Sequence, residues 1–123
     1  MGKFVIRKTK TGYTFYLNAN NTQTICVSQV YASLSSCKAG IESVRKNCDT
    51  WIEDLTLKKP DPMKNPKYEI YLDKAGEYRF RLSASNGEIL IIANGGYTTK
   101  AACKTGIASI EKNAPKAEVE MEE

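Results

Sequence analysis

Residues 3–57 recur in altered form at residues 67–121, and this doubling limits the possible folds more than any local motif does. Lys3, Ile6, Lys10 and Gly12 correspond to Lys67, Ile70, Lys74 and Gly76. After one inserted residue, Glu77, the residues Tyr13, Phe15, Leu17, Ala19 and Asn21 correspond to Tyr78, Phe80, Leu82, Ala84 and Asn86. A second one-residue shift sets Tyr31, Cys37, Gly40, Ile41, Ser43, Lys46 and Asn47 against Tyr97, Cys103, Gly106, Ile107, Ser109, Lys112 and Asn113. A spacing of about 65 residues that occurs twice is a tandem duplication, not a solenoid array. One copy alone sits near the size at which a single core becomes marginal. The copies are therefore expected to share one core in a single pseudo-symmetric domain over 1–123: repeat one at 3–57, a connector at 58–66, repeat two at 67–121.

Within repeat two, Tyr68 to Leu72, Glu77 to Leu82 and Glu88 to Ala93 alternate apolar or aromatic residues with polar ones, the period of strands. Asp73-Lys74-Ala75-Gly76 and Asn86-Gly87 separate them, and the second is a strong hairpin signal because both residues tolerate positive φ. Repeat one repeats the meander with Phe4 to Arg7, Tyr13 to Leu17 and Thr24 to Ser28, with Thr22 in place of the turn glycine. The period then lengthens. Cys37, Ile41, Val44 and Cys48, like Cys103, Ile107, Ile110 and Ala114, fall at i, i+4, i+7 and i+11 and predict one amphipathic helix per copy. Ser33 and Thr99 are the expected N-caps, and Asn47 and Asn113 the expected left-handed stops. Gly40 and Gly106 beside the apolar stripe predict close packing of helix on sheet. Short extended pieces follow at Thr50 to Leu55 and Lys116 to Met121, the latter strand-like or a frayed acidic tail running to Glu123. Pro60, Pro62 and Pro66 mark the connector. The expected core holds Ile6, Tyr13, Phe15, Leu17, Cys37, Ile41 and Val44 with Ile70, Tyr78, Phe80, Leu82, Cys103, Ile107 and Ile110.

The second copy carries Lys67-Tyr68-Glu69-Ile70-Tyr71, then Lys74-Ala75-Gly76-Glu77-Tyr78-Arg79-Phe80-Arg81-Leu82, the Asn86-Gly87 turn, and Gly106-Ile107 followed by Ser109-Ile110 and Lys112-Asn113. In these motifs the chain resembles the YegP-like family of small bacterial and archaeal proteins of unknown function, in a tandem-repeat form. The first copy is looser, with Gln29-Val30 where the family favours an acidic residue and glycine. The resemblance implies an α+β fold: two tandem β(3)-α-β units forming one antiparallel sheet, with exchanged C-terminal strands and two helices packed on it. It implies no catalytic residue.

The sequence narrows the chemistry by exclusion. Four cysteines (Cys26, Cys37, Cys48, Cys103) lack C-x-x-C spacing, and the chain has no histidine. Hence no metal site is expected, and no base is at hand to activate a thiol. The cysteines read as small buried hydrophobes. Ser43-Val44-Arg45-Lys46 and Ser109-Ile110-Glu111-Lys112 match S-x-x-K, and Lys104-Thr105-Gly106 matches K-T-G, but both fall within one short helix. Glu69, Asp73, Glu77 and Glu88 have no pocket to shift them, and Asn94-Gly95-Gly96 is a turn. No catalytic residue and no cofactor is expected. The composition, 41% hydrophobic and 26% charged, is that of a globular protein, and no apolar run is long enough to span a membrane. A cytoplasmic chain is expected, a monomer or weak homodimer with no membrane partner.

The formal charge of +4 is a mild basic lean. The best constellation lies on the sheet face away from the core, where Tyr71, Arg79 and Arg81 of one copy are expected beside Tyr16 and Arg7 of the other. Arginines interleaved with aromatics stack bases and neutralise phosphates, although cross-strand pairing with Glu69 would quench the charge. The favoured expectation is a non-enzymatic binding or interaction module for an unknown protein or ligand. Single-stranded nucleic-acid binding through that face is the alternative, and a small enzyme the third reading.

Overall fold

The computed structural model describes residues 2–19, 23–59 and 61–122. Asn21 and Thr22 in the first hairpin, Pro60 in the connector and the terminal Glu123 lie outside the described residues. Eight strands and two helices follow in order: β1 (Lys3–Lys8), β2 (Tyr13–Asn18), β3 (Thr24–Val27), α1 (Leu34–Asn47), β4 (Ile52–Asp54), β5 (Lys67–Leu72), β6 (Tyr78–Ser83), β7 (Ile89–Ala93), α2 (Lys100–Asn113) and β8 (Glu118–Met121).

All strands join one sheet, ordered β4-β5-β6-β7-β3-β2-β1-β8. The two meanders meet at β3 and β7, where Cys26 faces Ala93 and Val27 faces Ile92. The final strand of each repeat leaves its own meander. β4 pairs with β5 of the second repeat and β8 with β1 of the first. The six central strands are antiparallel, while both exchanged strands join in parallel, so the sheet is mixed. A parallel neighbour cannot be reached by a hairpin and needs a connection of roughly a dozen residues. Residues 55–66 supply it between β4 and β5.

The helices begin where the sequence predicts. Ser33 and Thr99 have extended backbones, and their hydroxyls accept from the N–H of Ser36 and Ala102. The helix ends differ from expectation. Asn113 has φ −94°, and Cys48, the residue closing α1, is right-handed too, so neither asparagine is a left-handed stop. Each instead turns its side-chain amide back on the helix: Asn47 Nδ2 donates to the Ser43 carbonyl and Asn113 Nδ2 to the Ser109 carbonyl, both at 2.8 Å. After Asn113 the chain tightens into a 3-10 turn at Ala114–Lys116, with Pro115 near its start.

One core runs the length of the sheet beneath both helices, holding Phe4, Ile6, Phe15 and Leu17 with their counterparts Tyr68, Ile70, Phe80 and Leu82. Tyr13 and Tyr78, expected inside, are only partly buried and lie at the margin, bridged to Tyr31 and Tyr97. Two pairs that alternation alone would split, Ile25-Cys26 and Leu90-Ile91, are buried together. The register shifts opposite Leu17/Asn18 and Leu82/Ser83, at equivalent places in the two repeats. Such a bulge sets two consecutive residues against one on the partner strand.

Candidate binding groove

The sheet face away from the helices holds the residues singled out from the sequence, and register fixes their layout. Glu69 faces Arg81, which faces Ile92; Ile92 faces Val27, and Val27 faces Tyr16. Tyr71, Arg79 and Arg81 therefore stand together on β5 and β6. Tyr16 and Arg7 stand together on β2 and β1. Strands β7 and β3 intervene, and three strand spacings amount to about 14 Å.

Each cluster neutralises itself. Arg79 Nε meets Asp73 Oδ2 at 2.7 Å, Arg81 Nε meets Glu69 Oε1 at 2.7 Å, and Lys67 reaches Glu53 and Glu69 at 2.8 and 3.6 Å. Arg81 also lies over the Tyr71 ring, 4.9 Å from its centroid. At the other end Arg7 pairs with Glu122 at 3.0 Å and covers Tyr16, whose hydroxyl donates to Glu122 at 2.5 Å. Lys3 pairs with Glu120 at 2.9 Å. The hydrogen bond to Arg79 holds the Asp73 carboxyl below its usual range, and that to Arg7 does the same for Glu122. Each of these arginines is thus already bound to a carboxylate, which lowers the charge it can offer a phosphate.

The opposite side carries a feature that no run of residues announces. Each helix forms a groove with the hairpin of the other repeat. One lies between α2 and the β2–β3 hairpin, with a cavity volume of about 810 Å³, and includes Ala19, Ile25, Tyr97, Ala102, Thr105 and Lys112. Its counterpart, between α1 and the β6–β7 hairpin, measures about 400 Å³ and includes Gln29, Tyr31, Ser36, Ala84, Glu88 and Leu90. Tyr97 and Tyr31 occupy equivalent places, stacked on Phe80 and Phe15 with ring centroids 6.2 and 6.1 Å apart.

The glycine expected to mark close packing sits under each of these tyrosines. A Cβ on Gly106 would stand 2.3 Å from Tyr97 Oη, and one on Gly40 would stand 2.4 Å from Tyr31 Oη. The helix therefore yields its side chain to admit a phenol. Burial raises both phenol pKa values, so both hydroxyls stay protonated at neutral pH and remain donors. Tyr31 Oη is buried without a hydrogen-bond partner. The Gln29 side-chain amide donates to Glu88 Oε1 at 2.8 Å. Gly95, with φ 96°, occupies the equivalent place in the second repeat and has no side chain to project. Among the described residues the rim of the α1 groove thus carries a Gln29–Glu88 hydrogen bond that the α2 groove lacks.

The remaining candidates are held in structural roles. Burial pushes all four thiols up, Cys103 to about 11, so none is a thiolate near neutrality. Ser43 and Ser109 of the S-x-x-K matches each receive an asparagine amide at 3.2 Å. Among the described residues no three ligating side chains gather into a metal site, and no helix is long and apolar enough to cross a membrane.

Comparison with known proteins bears directly on this architecture. Residues 9–53 and 73–120, one stretch in each repeat, match the domain of unknown function DUF1508. The chain belongs to the DUF1508 family. It is 36% identical over 114 residues to a UPF0339 protein of Bordetella pertussis, covering 93% of this chain and 89% of that one. A UPF0339 protein of Treponema denticola is 51% identical over 53 residues, which is 43% of this chain and 90% of the relative. The solution NMR structure of yegP from E. coli, a protein of unknown function, superposes with a TM-score of 0.77 at 30% identity, covering 98% of this chain and 91% of that one. The YegP-like resemblance read from the sequence thus holds in both sequence and fold. The DUF1508 family is uncharacterised, with no known catalytic activity.

Proposed function

We propose that this DUF1508 chain is a non-enzymatic, cytoplasmic binding module whose small-molecule ligand occupies the groove between α2 and the β2–β3 hairpin. The observation that carries the reading is the open groove itself, about 810 Å³ and built from both repeats. Small-molecule sites are typically clefts of about 300–1,000 Å³, largely apolar with a few convergent polar groups. Here Ala19, Ile25 and Ala102 give the apolar surface, while Tyr97, Thr105 and Lys112 give the polar one. The phenol of Tyr97, kept protonated by burial, suits recognition by hydrogen bonding and is no general base. The four unpaired, buried cysteines support a reducing compartment.

Ligand screening by NMR on the 15N-labelled full chain tests this reading. Binders are expected to move the amides of Ile25, Tyr97 and Thr105, and Thr105→Trp, which fills the groove from an exposed position, is expected to abolish the shifts. Shifts clustered on the β1–β2 face, or unchanged in the tryptophan variant, would remove the groove as the site.

A further inference from the structure

The two grooves differ in charge as well as in size. Among the described residues Lys112 is the one charged residue lining the α2 groove, and no carboxylate lines it. Lys112 also has no ion-pair partner among the described residues, in contrast to Lys67, Arg79, Arg81 and Lys100. In the α1 groove the one lining charge among the described residues is Glu88, at the position equivalent to Gln23. The duplication thus yielded one cavity with a free cation and one with a carboxylate held by Gln29.

We infer that the α2 groove takes a small amphipathic anion, with its apolar body against Ile25 and Ala102 and its anionic head at Lys112. The inference rests on the groove being the ligand site. Length fits the assignment: from Ala102 to Asn113 the α2 wall spans roughly 16 Å at 1.5 Å per residue, enough for a medium-length acyl chain. Asn113 Nδ2 is committed to the Ser109 carbonyl and so does not compete with Lys112 for the head. Partway along the wall, about 9 Å before Lys112 at 1.5 Å per residue, the Tyr97 hydroxyl stands over Gly106. The α2 C-terminus places about half a negative charge near Lys112, and the full ammonium charge outweighs it. The Glu88 carboxylate and the smaller volume, about 400 Å³, disfavour the same ligand in the α1 groove.

The test titrates the full chain with decanoate, decyl phosphate, decanol and decylamine, all below micellar concentration, by calorimetry and by NMR shifts. Wild type is expected to bind the two anions at least fivefold tighter than decanol, and decylamine weakest of all. Decanoate against decyl phosphate separates a carboxylate head from a phosphate. Lys112→Glu, at an exposed position, is expected to reverse the order, with decylamine becoming the tightest. Thr105→Trp is expected to abolish binding of all four, and circular dichroism confirms that both variants are folded. Equal affinity for the four probes, or an order unmoved by Lys112→Glu, would overturn the anion assignment while leaving the groove standing. Absence of any binding, or binding indifferent to Thr105→Trp, would overturn the groove reading itself.

Discussion

The two edges of the sheet are built alike and finished differently. At each, an exchanged strand lies parallel to the first strand of the other repeat and sets a glutamate against a lysine: Glu53 with Lys67 at 2.8 Å, Glu120 with Lys3 at 2.9 Å. The β4 edge is overlaid by the connector. The Met63 N–H donates to Glu53 at 2.7 Å and the Trp51 indole to the Lys64 carbonyl at 2.8 Å, leaving Glu53 buried. The β8 edge has no such cover among the described residues. All four of its residues are exposed, with Val119 at 40% and Met121 at 49%. Duplication copied the pairing, and the connector then turned one copy of a surface ion pair into part of the interior. Alternating glutamates guard the bare edge against strand addition.

Four experiments bear on this contrast. The largest effect is expected from separating the repeats, because each edge strand is held by the other half. A fragment ending at Lys59 and one starting at Asp61 should each lack a cooperative melt as a monomer and regain it on mixing. A monomeric fragment with dispersed NMR signals and a sharp transition would break the idea of mutual completion. Next comes Tyr68→Phe. Tyr68 is buried beside the covered edge and its hydroxyl donates to the Cys48 carbonyl at 2.7 Å, whereas its counterpart at the bare edge is Phe4. Leaving that carbonyl unpaired should cost about 1–3 kcal/mol in denaturant melts; a loss near zero would show that solvent reaches it.

Third, Glu53→Gln should lower Tm clearly and Glu120→Gln hardly at all, since exposed pairs contribute little. Equal shifts would mean that the connector's cover has no energetic consequence. The smallest effect is in pH. Bonds from Lys67 and the Met63 N–H hold the Glu53 carboxyl below its ordinary 4.5, so the native state binds fewer protons than the unfolded chain. Its contribution is complete above about 4.5 and lost as pH falls through the lowered value. Asp54, where bonds to Lys100 and Thr56 outweigh the opposing effect of burial, adds in the same direction. Glu111, raised by burial beside Asp49, partly offsets them. With no histidine in the chain, thermal melts should be nearly flat from pH 6 to 8, and the acid limb should be shallower in Glu53→Gln.

Much of the fold is legible because local and duplicated signals agree. Strand period, the Ser33 and Thr99 caps and the glycines under Tyr31 and Tyr97 are each set by neighbouring residues and each stated twice, while the Asn86-Gly87 turn is stated in repeat two alone. The paired bulges are harder to read. In the run Ile89-Leu90-Ile91-Ile92 every residue is apolar, so composition does not reveal which two share a side. Asn47 and Asn113 misled because an asparagine near a helix end has two uses, a left-handed turn or a bond back to the carbonyl four residues earlier, and burial decided for the second. On the sheet face the Arg81–Glu69 pairing follows from register, but Arg79 turns to Asp73 in its own preceding turn. The grooves leave no trace in either repeat alone, because each has one wall from each half. Gly95 against Gln29 is a difference near the paired tyrosines that the sequence does display.

The exchange of edge strands has a final implication. A polypeptide bearing one such unit could satisfy its lone strand only by meeting another molecule, and its folding would slow with dilution. Tethering the two units makes that search internal, first-order in protein and indifferent to abundance. It also releases the halves from having to be identical, so the two cavities are free to diverge.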